Sequence, residues 1–348
     1  MTPEPDQVRI LIWGAGAIGG CLGAYLRRAG HDVTFVDVAA EHVAAIREGG
    51  LKIVGPIEEF TVRAPAFTPH ELQGVWDTVL LCTKAQDTRA AGEALAPHLT
   101  LEGAVVSVQN GLNPLILNEI LGEERVLGSF VNFGADYLEP GTVTYSGRGA
   151  VVIGEQGGQI TPRVQRLHGL FRQFDNQSIL TPDIFGYLWS KLSYGALLFA
   201  TALTNDSIAD ALERPGDREL YTELGREVLR VAAAQGVTPQ AFNGFDPAAF
   251  VPGASKAQAA ASLDEMVSFN RRSAKTHSGI WRDLAVRRRR TEVDAQLGWV
   301  VRFGERLGVP TPLTARLIEV VHDIEDGRRD LGRANLGELR ALLHPETA

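Results

Sequence analysis

The sequence predicts an α/β fold: an N-terminal doubly wound sheet followed by an all-helical C-terminal half. Three observations predict it. Short apolar, β-branched runs alternate with helical periods over the first half of the chain. The first such run ends in the glycine loop Gly14-Ala15-Gly16-Ala17-Ile18-Gly19. From about Asp183 the β-branched runs stop, and long periods rich in Ala, Leu, Arg and Glu take over.

In chain order, residues 8–13 form a short apolar run that ends in glycine, the pattern of a buried strand, and 18–30 read as a small-residue helix stopped by Gly30. Residues 33–37 give a second strand and 41–49 a helix, completing a βαβα unit with the right-handed connection that parallel strands require. Further strands are expected at 78–83, 104–109, 125–131, 142–146 and 151–155, with a helix at 88–99 between them. The alternation predicts a mostly parallel sheet, and the close spacing of the last strands an antiparallel extension. At Thr181-Pro182-Asp183 the proline interrupts structure and Asp183 is placed to cap the next helix, which sets the domains at 1–182 and 183–348. In the second domain 218–235 and 291–307 read as helices, and the polar tail after Gly327 as a short helix or a frayed end.

At 348 residues the chain exceeds what one core usually serves. With 45% hydrophobic and 22% charged residues it belongs among ordinary globular proteins. The net charge of −8 opposes phosphate backbones and anionic membranes, so neither nucleic acid nor a membrane is an expected partner. Cys21 and Cys82 are too few for a disulfide framework, and a thiol at a strand end, like Cys82, is inert packing. Together with an N-terminus that lacks a basic segment and apolar run, this fits a cytoplasmic protein. His277 stands alone and no metal-ligand constellation accompanies it, so no metal is expected. The run Arg287 to Arg290 lies beside Asp283 and Glu292 and reads as a solvated helix face with local ion pairs.

A strand feeding Gly-x-Gly-x-x-Gly and then a helix places Gly14, Ala15, Gly16, Ala17, Ile18 and Gly19 where the backbone turns tightly and a pyrophosphate rests on the helix N-terminus. This is the Rossmann-type context, and it implies a dinucleotide. Asp37, at the end of the second strand, can accept hydrogen bonds from the adenosine ribose hydroxyls and would repel a 2′-phosphate, so NAD is favoured over NADP. The competing reading of Asp37 is a solvated strand-end carboxylate, with Arg47 near enough to turn toward a phosphate.

Later segments give the chain a resemblance to one family. After the glycine loop come Cys82-Thr83-Lys84-Ala85, Gln109-Asn110-Gly111, Trp189-Ser190-Lys191-Leu192, and Thr291-Glu292-Val293-Asp294 with the turn Gly308-Val309-Pro310-Thr311-Pro312. In that order they resemble the ketopantoate reductases (2-dehydropantoate 2-reductases). The resemblance implies hydride transfer from a nicotinamide to the carbonyl carbon of a 2-keto acid, giving a 2-hydroxy acid. It assigns Lys191 as proton donor, a role suited to an ammonium that polarises a carbonyl and stabilises the alkoxide. It places Asn110 against cofactor and substrate, Lys84 beside the cofactor, Glu292 near the nicotinamide ribose and the reacting centre, and Ser278 on the substrate carboxylate. Read without it, Asn110-Gly111 is a turn, Lys84 a solvated loop residue, and Glu292 a capping carboxylate of the following helix.

The chain departs from the family where asparagines normally follow the lysine by one and two helical turns: Gly195 and Phe199 stand there. Gly195 is thus a substrate-site residue by its missing side chain, and Asn205 remains as a polar partner. A substrate bulkier or more apolar than ketopantoate is expected. Two other functions share the architecture: a 3-hydroxyacid or opine-type dehydrogenase, and a non-catalytic NADH-sensing regulator. A homodimer through the 291–307 segment is expected of the helical domain.

Overall fold

The computed structural model describes residues 8–273 and 275–343. They divide into two compact units: one runs up to Gln109 and from Asn113 to Ile184, the other takes Asn110–Leu112 and the chain from Phe185 onward.

The first unit contains, in order, β1 (Arg9–Trp13), α1 (Ala17–Arg28), β2 (Asp32–Val36), α2 (Ala40–Gly49), β3 (Leu51–Val54), β4 (Phe60–Val62), β5 (Ala66–Phe67), β6 (Trp76–Leu81), α3 (Thr88–Leu95), β7 (Leu99–Ser107), α4 (Asn113–Leu121), β8 (Val126–Val131), β9 (Gly134–Glu139), β10 (Thr142–Gly147), β11 (Val151–Glu155), α5 (Pro162–Phe174) and β12 (Ile179–Leu180). The main sheet has the order β12-β11-β8-β7-β6-β1-β2-β5. Its pairings are parallel except β11 on β8, where the expected antiparallel step falls.

Side chains alternate across a strand, so β1 feeds two cores. Ile10 and Ile12 pack with α1, α5 and the residues Leu51, Ile53, Val143 and Tyr145, whereas Leu11 and Trp13 pack with α3 and α4 through Ala91, Leu95, Leu117 and Leu121. Both faces are covered, as a doubly wound sheet requires.

Several elements differ from the sequence reading. The strand expected at 142–146 belongs to a second, four-stranded sheet of order β4-β3-β10-β9, in which β10 runs parallel to β3 with Thr142 opposite Lys52. Helices α4 and α5 were not expected, although Thr161 caps α5 by accepting from the Val164 N–H at 3.2 Å and Pro162 occupies its first turn. The helix read at 88–99 ends at Leu95, and a short 3-10 turn over Ala96–His98 precedes β7.

The second unit is helical: α6 (Ile184–Thr201, whose first residue packs with the sheet unit), α7 (Ile208–Glu213), α8 (Arg218–Ala234), α9 (Lys256–Arg271), α10 (Gly279–Trp281) running into a π turn at Arg282–Val286, α11 (Val293–Leu307), α12 (Pro312–Glu325) and α13 (Ala334–Ala341). Helix α6 is apolar nearly all round and is the buried centre of the unit, with Leu188, Trp189, Leu192, Leu197 and Phe199 sealed from solvent. The buried Glu227 on α8 caps α12, accepting from Leu313 N, Thr314 N and Thr314 Oγ1 at 2.8–2.9 Å. The basic run 287–290 is a loop rather than the helix face expected of it, turning through Arg288 at φ 47°. Its ion pairs are local: Arg287 and Arg289 hold the buried Asp283, and Arg290 holds Glu325 and Asp326. Among the described residues no helix is long and apolar enough to cross a membrane.

Candidate active site

In the sheet unit the glycine loop joins β1 to α1, and each glycine has a distinct reason. Gly14 has φ 97°, and a Cβ there would lie 2.8 Å from the Thr83 nitrogen. A Cβ on Gly19 would overlap the Gly14 carbonyl oxygen and press on Cys82. Gly16 is the opposite case, with nothing among the described residues within 4 Å of its Cβ position. It is also the N-cap of α1, makes no side-chain capping bond, and is followed by no acidic residue in the first turn. The helix therefore presents N–H groups and its positive end to open space beside Gly16, Ala17 and Ile18, a fit to an anionic pyrophosphate.

Asp37 follows β2, and its carboxylate accepts from Ala15 N at 2.8 Å and Ala39 N at 3.0 Å, tying the loop to the strand end. Val38 beside it is 82% exposed, an apolar surface next to the carboxylate. Arg47 is held elsewhere: its Nε donates to the Ala66 carbonyl at 2.7 Å and its guanidinium takes both Glu71 oxygens, at 2.8 and 3.2 Å. Lys84 lies in extended backbone before a 3-10 turn, its carbonyl accepting from Asp87 N at 3.0 Å.

Two residues to which the sequence assigns no role shape this half. His42, fully buried on α2, accepts at Nδ1 from Gly141 N at 2.9 Å, so Nε2 carries the proton and donates to the Ala15 carbonyl at 2.9 Å. Gln109 donates to Thr83 and Thr88 at 2.9–3.2 Å and fixes the loop that carries Lys84. His42 belongs to no spacing pattern, and Gln109 stands in the Gln109-Asn110-Gly111 segment without a role of its own; what each does exists only once distant segments meet.

The helical unit holds the second group. Lys191 is the one charged residue of α6 and is partly buried there. Removal from water pushes its ammonium down from 10.5 to about 8; the neighbouring Glu292 carboxylate opposes that fall and the Lys275 ammonium adds to it. Glu292 is 8% exposed and stands at the N-cap position of α11, but its side chain makes no capping bond, so helix capping does not account for it. Lys275 was not singled out in the sequence, where nothing distinguishes it from the other cations.

Asn110 also belongs to this unit, and Gly111 after it, at φ 92°, runs against α11 so closely that a Cβ would sit 3.1 Å from the Ala295 carbonyl. Asn205 and Ser278 meet each other at Trp281: Ser278 Oγ accepts from the Trp281 amide at 3.1 Å as the cap of α10, and Asn205 Oδ1 accepts from the indole N–H at 3.2 Å. Ser278 is buried and Asn205 exposed. The ring of His277 lies on Trp281 with centroids 4.2 Å apart. Gly195, one turn along α6 from Lys191, has only Gln296 Oε1 near its Cβ position, at 3.6 Å, while Phe199 is sealed in the core and forms no wall of a site. Among the described residues no three His, Cys, Asp or Glu side chains are grouped to hold a metal ion.

Comparison with known proteins bears on both halves. The family model described as ketopantoate reductase PanE/ApbA matches residues 10–158, and the model for its C terminal part matches 183–325. The 2-dehydropantoate 2-reductase of Halobacterium salinarum is 28% identical over 318 residues, covering 90% of this chain and 98% of that protein. The enzyme of that name from Archaeoglobus fulgidus is 28% identical over 322 residues, covering 92% and 98%. Among solved structures, a PanE/ApbA family ketopantoate reductase from Ralstonia eutropha superposes with a TM-score of 0.77 at 29% identity, over 92% of this chain and 99% of that one. The ternary structure of D-mandelate dehydrogenase with NADH and anilino(oxo)acetate has a TM-score of 0.79 at 22% identity, over 92% and 99%, a likeness of fold.

Proposed function

The chain belongs to the ketopantoate reductase family, and on that premise we propose that it reduces a 2-keto acid to the 2-hydroxy acid with NADH, Lys191 donating the proton. The observation that carries this reading is Lys191 itself: a lone cation in an otherwise uncharged buried helix, with its pKa brought down to about 8 and a buried carboxylate beside it. An ammonium near neutrality is matched to proton transfer at physiological pH.

In this reading the open backbone at Gly16 to Ile18 receives the pyrophosphate, with Gly14 and Gly19 holding the turn, and Asp37 receives the adenosine ribose with Val38 beside it. Lys84 and Asn110 contact the cofactor, and Glu292 its nicotinamide ribose. A nicotinamide held by these residues would supply a hydride to the carbonyl carbon. Lys191 Nζ polarises the carbonyl oxygen and gives it a proton as negative charge develops. Glu292 keeps Lys191 protonated between turnovers. Asn110 positions the keto group, and Ser278, with Asn205 behind it through Trp281, takes the substrate carboxylate. NADP is the less favoured cofactor, because Asp37 opposes a 2′-phosphate and Arg47, the cation considered for it, is engaged by Glu71 and the Ala66 carbonyl.

The missing side chain at Gly195, where Gln296 Oε1 borders the Cβ position at 3.6 Å, supports a substrate bulkier than ketopantoate; Phe199, sealed in the core, lends no support to a more apolar one. The helical unit supplies the substrate-binding side chains, and α11 is the face proposed for a homodimer, to be read by sedimentation. The test of the function is a panel of 2-keto acids of increasing side-chain size, with and without amines, followed at the nicotinamide absorbance. Bulky 2-keto acids should be reduced with kcat/KM above that for ketopantoate. Ketopantoate turnover at about 10⁴ M⁻¹s⁻¹ or more would overturn the substrate reading, and turnover only with an amine present would make the protein opine-type.

A further inference from the structure

Two helices present their residues in register. On α6, Gly195 follows Lys191 by four positions; on α11, Gln296 follows Glu292 by four, so each pair shares a helix face. Lys191 and Glu292 are electrostatic neighbours, and one turn further on Gln296 Oε1 faces Gly195, 3.6 Å from where a Cβ would be and, among the described residues, the only atom within 4 Å of it outside the local chain.

The state of this glutamine points to a ligand. It is 7% exposed, yet among the described residues its carboxamide makes no hydrogen bond, and it is not one of the fully sealed unpartnered polar atoms. The small accessible part of Gln296 is therefore its amide. A solvent-reachable amide that no protein group engages is available to a hydrogen-bonding ligand, which would take the place of water on it. Its stem lies beside Gly111, just after Asn110, where a Cβ would be in ordinary contact with Gln296 Cγ at 3.5 Å. Its carboxamide reaches the stretch of α6 at Gly195, where no side chain stands between the two helices.

We propose that Gln296 is a specificity-determining residue, its carboxamide binding a hydroxyl or carbonyl oxygen carried on the substrate's side chain about one helical turn, ~5 Å, from the group Lys191 protonates. The amide that the family usually carries on the lysine's own helix is thus supplied from the opposite helix. The inference rests on the 2-keto acid reading above and narrows its substrate class: a 2-keto acid bulkier than ketopantoate whose side chain carries a hydrogen-bonding group, not a purely aliphatic one. An amide can both donate and accept, so a hydroxyl satisfies it in either sense.

The isosteric pair 4-hydroxy-4-methyl-2-oxopentanoate and 4,4-dimethyl-2-oxopentanoate differs only by hydroxyl against methyl. Wild type should favour the hydroxylated acid by about 10²-fold in kcat/KM. Gln296→Leu should bring that ratio to within about threefold of one, the change appearing in KM more than in kcat, and Gly195→Asn added to Gln296→Leu should restore a preference for the hydroxyl. Gln296→Met serves as a second apolar variant if the leucine variant does not fold. NADH binding, read by fluorescence, should be the same in all of them. A wild type indifferent to the pair, or a ratio unchanged in Gln296→Leu and Gln296→Met, overturns the proposal while leaving 2-keto acid reduction in place. Failure of wild type on every 2-keto acid overturns the functional reading itself, and this inference with it.

Discussion

Replacing Glu292 by glutamine keeps the shape of the side chain and removes the one neighbouring charge that raises the Lys191 pKa. Burial and Lys275 together lower that ammonium by more than the net fall from 10.5 to about 8, and Glu292 gives part of it back. An opposite charge at close range is worth about one to three pH units, so the variant should bring Lys191 to about 6.5. The sign follows from the chemistry. Reduction needs the protonated ammonium, so kcat/KM for the keto acid is full below the Lys191 pKa and falls as pH rises through it. Wild type should lose reduction with a midpoint near pH 8 and be about nine-tenths protonated at pH 7, whereas Glu292→Gln should be about one-quarter protonated there and recover toward pH 5.5. Oxidation of the 2-hydroxy acid needs neutral Lys191 and should rise across the same midpoints. The assay is initial rate against pH, at saturating NADH for reduction and saturating NAD⁺ for oxidation. A midpoint that stays at the wild-type value, or moves to higher pH, would refute the electrostatic pairing.

Other consequences follow from the glycine loop and its surroundings. Gly16→Ala should leave stability within about 1 kcal/mol, since φ there is −67° and the Cβ meets nothing, but weaken NADH binding at least tenfold by calorimetry. Gly19→Ala should instead cost about 2–3 kcal/mol or more, lowering the melting temperature by roughly 5–10 °C, because the Cβ overlaps the Gly14 carbonyl; a variant melting with wild type would contradict that packing. Asp37→Ala should erode the preference for NADH over NADPH at least tenfold, whereas Arg47→Ala should leave the ratio of kcat/KM values within about twofold, since Arg47 serves Glu71.

The parts legible in the sequence are those set by short-range sterics. Gly14, Gly16 and Gly19 are called for by a turn, an approach and a helix packing within six residues; the structure shows the turn at Gly14 and the packing at Gly19, and leaves space at Gly16. The second sheet was illegible because β3 and β4 are four and three residues long, and gain their order from β10, far along the chain. For the same reason a strand at 142–146 looked like one more member of the main sheet. His42 and Gln109 act on loops that the sequence does not place beside them. Gln296 carries no motif; its meaning depends on Gly195 being small on a different helix. Asn205 and Ser278 were chosen as separate polar groups, and it took the position of Trp281 to join them.

The central claim, that Lys191 is the proton donor of a nicotinamide-dependent reduction, is tested most directly by kcat/KM of Lys191→Ala with NADH and the best 2-keto acid of the panel, measured beside the NADH dissociation constant. The account predicts a loss of about 10²- to 10⁴-fold with cofactor affinity within about twofold of wild type. Activity within about threefold of wild type at intact cofactor binding would contradict it and favour a protein that senses NADH without acting on a keto acid.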